Sequence, residues 1–245
     1  MVAEKQINEF ISRMRQAAGE NLQSVILYGS AADGEFHPEF SNVNLFCVLR
    51  ETTFAGLNAI APVVEWWTRQ KHHVPLFLTR EEVERSTDVF SIELMDMQQR
   101  HRVLYGEDVL QELTIPMHFH RAQLEYELRE KTILLRERML LAGGSKNRLW
   151  ELLLGSLSTF ETLFRHALVA MGDSAPKSKR ESIQVLASRI QLEPSAFLQL
   201  LDIREKKTDR KQLDVSDVAS RYLTAVQQVT AAVDKMLDSI EPGRV

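Results

Sequence analysis

Between residues 3 and 18 the apolar side chains Ile7, Phe10, Ile11, Met14 and Ala18 recur at three- and four-residue spacing, which predicts an amphipathic helix stopped at Gly19. The period then changes. "LQSVILYG" is short, apolar and β-branched, and reads as a buried strand closing on Gly29. "NVNLFCVL" reads as a second strand, alternating polar and apolar at first and continuously apolar afterwards. Residues 53–71 have helical spacing, with Trp66 and Trp67 near the end; "VPLFLT" is a third strand and "REEVERSTD" a charged helix. Over residues 90–105 the pattern predicts a short helix and then a short strand ending at Gly106.

Beyond residue 117 only helical periodicity remains. Leu124, Leu128, Leu135 and Met139 form one stripe, closed by Gly143-Gly144. Leu149, Leu153, Leu157, Phe160, Phe164, Ala167 and Met171 form another, closed by Gly172. Pro176 and Pro194 each stand at or just ahead of a further helix, where a missing N–H does no harm. Val218, Tyr222, Val226, Val229, Val233, Met236 and Ile240 give a long last helix. Such stripes must bury one another, so the C-terminal half is expected to be a helical bundle, with the boundary near Ile115-Pro116.

Composition narrows the function classes. The 245 residues are 44% hydrophobic and 26% charged, as in an ordinary globular protein, and are enough for a sizeable core. A formal charge of −4 argues against a general nucleic-acid binder. Cys47, the single cysteine, excludes an intrachain disulfide and a cysteine-based zinc site, and within "LFCVL" it reads as a small buried hydrophobe. No apolar run reaches the length of a membrane span, so no membrane partner is expected. "MVAEKQINEF" lacks the layout of a signal peptide, so a cytoplasmic location is expected.

The candidate chemistry lies in "LYGSAADGEFHPEFSNVNLFCVL", residues 27–49. Gly29 lets the backbone approach a ligand closely, and Ser30 offers a hydroxyl beside free N–H groups, a seat for a phosphate. Residues two apart on a strand face the same side, so Asn42 and Asn44 are expected to point together toward the Gly-Ser turn. Were they aspartates, they would grip divalent metals beside that phosphate, as nucleotidyl transfer requires.

That stretch resembles the signature of the DNA polymerase β-like nucleotidyltransferase superfamily, in which Gly-Ser precedes Asp-x-Asp by some ten residues. It is most similar to the prokaryotic branch of minimal and aminoglycoside nucleotidyltransferases. The match lies in the Gly-Ser, the Gly-Glu-Phe, the Pro, the Ser ahead of the pair and the apolar tail. The resemblance implies an α/β (α+β) nucleotidyltransferase-like domain with a small mixed sheet over residues 1–115. An all-α helical bundle domain over residues 116–245 follows, and the acceptor substrate of an active member would lie between the two.

The departures concern charge. The two metal-binding aspartates map onto Asn42 and Asn44, and "VPLFLT" offers no third carboxylate. Asp33 stands where the family often has a basic residue. One unit of charge at 4 Å is worth about 4 kcal/mol near a surface, and more against a divalent ion, so three lost charges should abolish useful metal binding. Asp33 and Glu35 are the nearby acids that could substitute, and both are expected in a loop. The favoured reading is therefore a catalytically inactive member, with no cofactor, that binds a nucleotide weakly or a protein partner in the old cleft. The alternatives are an active enzyme moving a nucleoside monophosphate from a nucleoside triphosphate to a hydroxyl with Mg²⁺, and an interaction protein with a vestigial cleft.

Other constellations carry less. His72-His73 and His118-x-His120 read as surface histidines, since neither pair has a third ligand in place. Arg165-His166 lacks the Arg-x(4–6)-His spacing of the HEPN ribonuclease bundles. Trp66, Trp67 and Trp150 read as packing residues.

Overall fold

The computed structural model describes residues 2–32, 43–174, 176 and 178–240; the side chains of residues 2, 3, 30 and 237–240 are not among those described. The chain divides into two compact units, Met1–Phe119 and His120–Val245. Among the described residues there are four strands and nine α-helices, and no helix is long and apolar enough to cross a membrane.

The first unit runs α1 (Val2–Ala18), β1 (Leu22–Tyr28), β2 (Asn44–Leu49), α2 (Phe54–Arg69), β3 (Leu76–Thr79), α3 (Arg80–Arg85), α4 (Ser91–Gln99) and β4 (His101–Gly106). The sheet order is β3-β2-β1-β4. β1 pairs antiparallel with both β2 and β4, while β2 and β3 are parallel, so the sheet is mixed. Its central strands are covered on both faces, which is why "VIL" and "FCVL" read as unbroken apolar runs. On one face Val25, Leu27, Leu45, Cys47 and Leu49 pack with Phe10 and Met14 of α1 and Ile60, Val63 and Trp67 of α2. On the other, Ile26, Phe46 and Val48 pack with Val83, Leu94, Met97, Val109 and Leu110.

Local chemistry fixes the joints. Thr79 and Glu82 form a reciprocal capping box at the start of α3, and the Thr53 hydroxyl accepts the Gly56 N–H at the start of α2. Trp67 is fully buried, lies 4.9 Å from the Phe10 ring and donates its Nε1–H to the His73 carbonyl at 2.9 Å. Cys47 is buried, and burial pushes its thiol well above the usual range, so it is an inert core residue.

The C-terminal helices are α5 (Met117–Ala142), α6 (Lys146–Ala170), α7 (Lys179–Ile190), α8 (Ser195–Arg204) and α9 (Val215–Ile240). Each predicted stripe supplies core. Leu153, Leu157, Phe160 and Phe164 of α6 are buried, as are Leu124, Leu128 and Leu135 of α5 and Tyr222, Val226, Val229 and Val233 of α9. Phe197 stacks on Tyr222 at 4.4 Å and meets Phe164 at 4.7 Å. Ser178 caps α7, and Pro194 occupies the cap position of α8.

One expectation is corrected. His120 was expected at the surface; it is fully buried, with Nε2 2.8 Å from Nδ1 of the equally buried His166. The reason is its phase: it lies four residues ahead of Leu124 on α5, on the same inward stripe. His73 and His118 are exposed, whereas His72 is half-buried and stacks on Trp67 at 4.0 Å.

Candidate functional site

β1 ends at Tyr28, and the chain turns at once into a single 3₁₀ turn, Gly29–Ala31. Gly29 has φ +77, a left-handed conformation that side chains rarely adopt. Its N–H donates to the Arg100 carbonyl at 2.9 Å, tying the turn to the entry of β4, and its carbonyl accepts the Ala32 N–H at 2.9 Å. The turn is thus anchored on both sides before any ligand is considered.

Across from it, Tyr28 pairs in register with Asn44, the first residue of β2. The half-buried Asn44 carries its amide nitrogen to 3.3 Å from the point that a Cβ on Gly29 would occupy. Alternation along β2 puts Asn44 on the face of Phe46 and Val48. Ser30 lies in the 3₁₀ turn, although its side chain is not among those described. Asn42, Asp33 and Glu35 lie outside the described residues.

On the far side of β1, Tyr28 pairs with His101, the first residue of β4. Asn44, Tyr28 and His101 therefore make one row across the sheet at the end that carries the Gly-Ser turn. His101 has oxygen acceptors on both ring nitrogens: the Gln98 carbonyl lies 3.1 Å from Nδ1 and the Asp108 carboxylate 2.9 Å from Nε2. Asp108 also accepts the N–H groups of Leu110 at 3.1 Å and Gln111 at 3.2 Å. Burial alone would raise the Asp108 carboxyl, but the hydrogen bond from His101, the two backbone donors and the imidazolium charge outweigh it and hold the group below its ordinary value. Burial raises the Tyr28 phenol, so it stays neutral at this site.

Sequence reasoning did not find the His101–Asp108 pair. Its only trace is an acid two residues past Gly106, and no local pattern ties that acid to a strand that starts seven residues before it.

The described residues do not make a divalent-cation site. No group of three or more His, Cys, Asp or Glu among them could hold a metal ion. Asn44 presents a neutral amide, the strand Leu76–Thr79 contains no carboxylate, and Asp108 is engaged by three donors.

A strand, a Gly-Ser turn and an antiparallel return strand opening on a polar residue, all within a small mixed sheet, define a nucleotidyltransferase-like fold. Residues 5–101 match the family described as "Nucleotidyltransferase domain". Among solved structures it is similar to the spectinomycin adenyltransferase AAD(9) from Enterococcus faecialis, determined with ATP and spectinomycin. The TM-score is 0.56 at 14% identity, over 94% of this chain and 99% of that one. At that identity the likeness concerns the fold, including the helical C-terminal region. No curated protein matches the chain.

Proposed function

We propose that this protein is a catalytically inactive nucleotidyltransferase-fold protein that binds a nucleotide at the Gly29–Ser30 turn without a metal ion. The observation that carries the reading is the neutral Asn44 amide set against Gly29, where the superfamily resemblance calls for a metal-binding carboxylate. Asn44 can hydrogen-bond a phosphate or a sugar hydroxyl, but it supplies a dipole where Mg²⁺ requires charge. The engagement of Asp108 supports the same reading, because the carboxylate tied to the row is already committed to His101 and two backbone donors. The same resemblance carries the expectation of a prokaryotic protein.

The adenyltransferase of similar fold was solved with ATP, which makes ATP the first nucleotide to test. Calorimetric titration of the full chain with ATP, once in EDTA and once in excess Mg²⁺, tests the proposal. The expected result is weak binding of similar affinity in both. Binding that requires Mg²⁺ would favour an active enzyme whose metal ligands include Asp33 or Glu35. No binding in either would leave a vestigial cleft and an interaction protein.

A further inference from the structure

Helix α5 has two apolar faces. Leu124, Leu128, Leu135 and Ala142 are buried on one. On another, Tyr126, Ile133 and Leu140 are 63%, 53% and 81% exposed. Each follows the last by seven residues, so the three form one nearly straight column along the helix. An exposed column of large apolar side chains marks an interaction surface, and its charged flanks say what covers it.

Residues three and four away on a helix are lateral neighbours. Arg129 and Arg136 therefore stand on one flank of the column, roughly 50° from it, and Glu130 and Glu137 stand about 50° to the other side. Arg129 also holds Asp234 at 3.0 Å, and Lys131 holds Glu130 at 2.6 Å, which fixes the inner charges in place. Arg136 and Glu137 are exposed. A two-fold axis parallel to two such helices brings the arginine flank of one onto the glutamate flank of the other. A perpendicular axis, giving antiparallel helices, brings arginine onto arginine and glutamate onto glutamate. Like charges in that position are destabilising. The surface is its own complement only in the parallel arrangement, so it needs no second kind of chain.

We propose that this face of α5 pairs in parallel with the same face of a second copy, with Tyr126, Ile133 and Leu140 each meeting its own counterpart across a two-fold axis. The interface is small, with three apolar residues per copy at its centre, so the dimer is concentration-dependent.

Sedimentation equilibrium of the full chain over a wide concentration range is the primary test, and reversible dimerisation is expected. Ile133→Glu places a charge in the centre of the column and should raise the dissociation constant by at least about tenfold. The unfolding midpoint of the dilute protein should stay unchanged, because the side chain faces solvent. Arg136→Glu, on the exposed flank, should weaken the dimer by itself, and adding Glu137→Arg should restore it. Tyr126→Cys and Leu140→Cys should each form a disulfide-linked dimer with itself on oxidation; the only natural thiol, Cys47, is buried and does not compete. A protein that is monomeric at every concentration would overturn the proposal, as would a dimer indifferent to both Ile133→Glu and Arg136→Glu. Cross-linking only when the two cysteine variants are mixed would replace it with an antiparallel pair.

Discussion

The Asn44 side-chain amide lies 3.3 Å from where a Cβ on Gly29 would stand, so the first residue of β2 closes over the turn that ends β1. The register Tyr28↔Asn44 sets that contact, and the left-handed φ of Gly29 makes it possible.

Gly29→Ala should therefore destabilise the first unit by about 1–2 kcal/mol from the left-handed backbone alone, with a further steric cost against Asn44. The two contributions are separable. In an Asn44→Ala background the steric part should vanish while the backbone part stays, so in urea the double variant should be destabilised by less than the sum of the two single variants. Zero coupling would mean that Asn44 swings away freely and does not define the turn's surface.

Much of this arrangement was legible in the sequence. The apolar runs, the stop at Gly29 and the alternation in "NVNLF" located β1, the turn and β2, because buried strands and glycine turns are written locally. The bundle stripes were legible for the same reason: Leu153, Leu157, Phe160 and Phe164 keep a helical period and are buried. What was not legible depended on tertiary neighbours. His120 looks like any polar residue ahead of a helix until His166, forty-six residues on, meets it in the core. The committed state of Asp108 likewise follows from the strand pairing that seats His101 beside Tyr28, and no spacing in the sequence announces it.

That commitment gives a pH prediction. The folded state holds Asp108 below its ordinary value of 3.8, so the carboxylate's contribution is fully present above the unfolded value and is lost as pH falls through the folded one. Asp108→Asn should lower stability at neutral pH and flatten the loss between neutral pH and about pH 3. Urea midpoints for both proteins across that range check it. Parallel acid limbs would show that the pair contributes nothing to the linkage.

Glu161 in α6 should behave in the opposite sense. It is buried, with Lys179 Nζ at 3.0 Å, and burial raises its carboxyl above the ordinary 4.5 despite the attraction of Lys179 and Arg204. With the folded value above the unfolded one, the ionised group costs stability, and that cost grows as pH climbs from 4.5 through the folded value. Glu161→Gln keeps the shape and removes the cost, and the exposed Lys179 can be solvated without its partner. The variant should be at least as stable as the parent at pH 7 by urea unfolding. A clear loss would mean that the ion pair outweighs its desolvation.

The metal-free site proposed at Asn42 and Asn44 is tested by the paired substitution Asn42→Asp, Asn44→Asp. Aspartate is nearly isosteric with asparagine, and a carboxylate holds Mg²⁺ where a neutral amide does not. The measurement is the shift of the thermal unfolding midpoint on titration with Mg²⁺, for parent and double variant, with ATP present. No Mg²⁺-dependent shift is expected for the parent and a rising midpoint for the variant, as binding to the folded state requires. A parent stabilised by Mg²⁺, or a variant as indifferent to it as the parent, would contradict the claim.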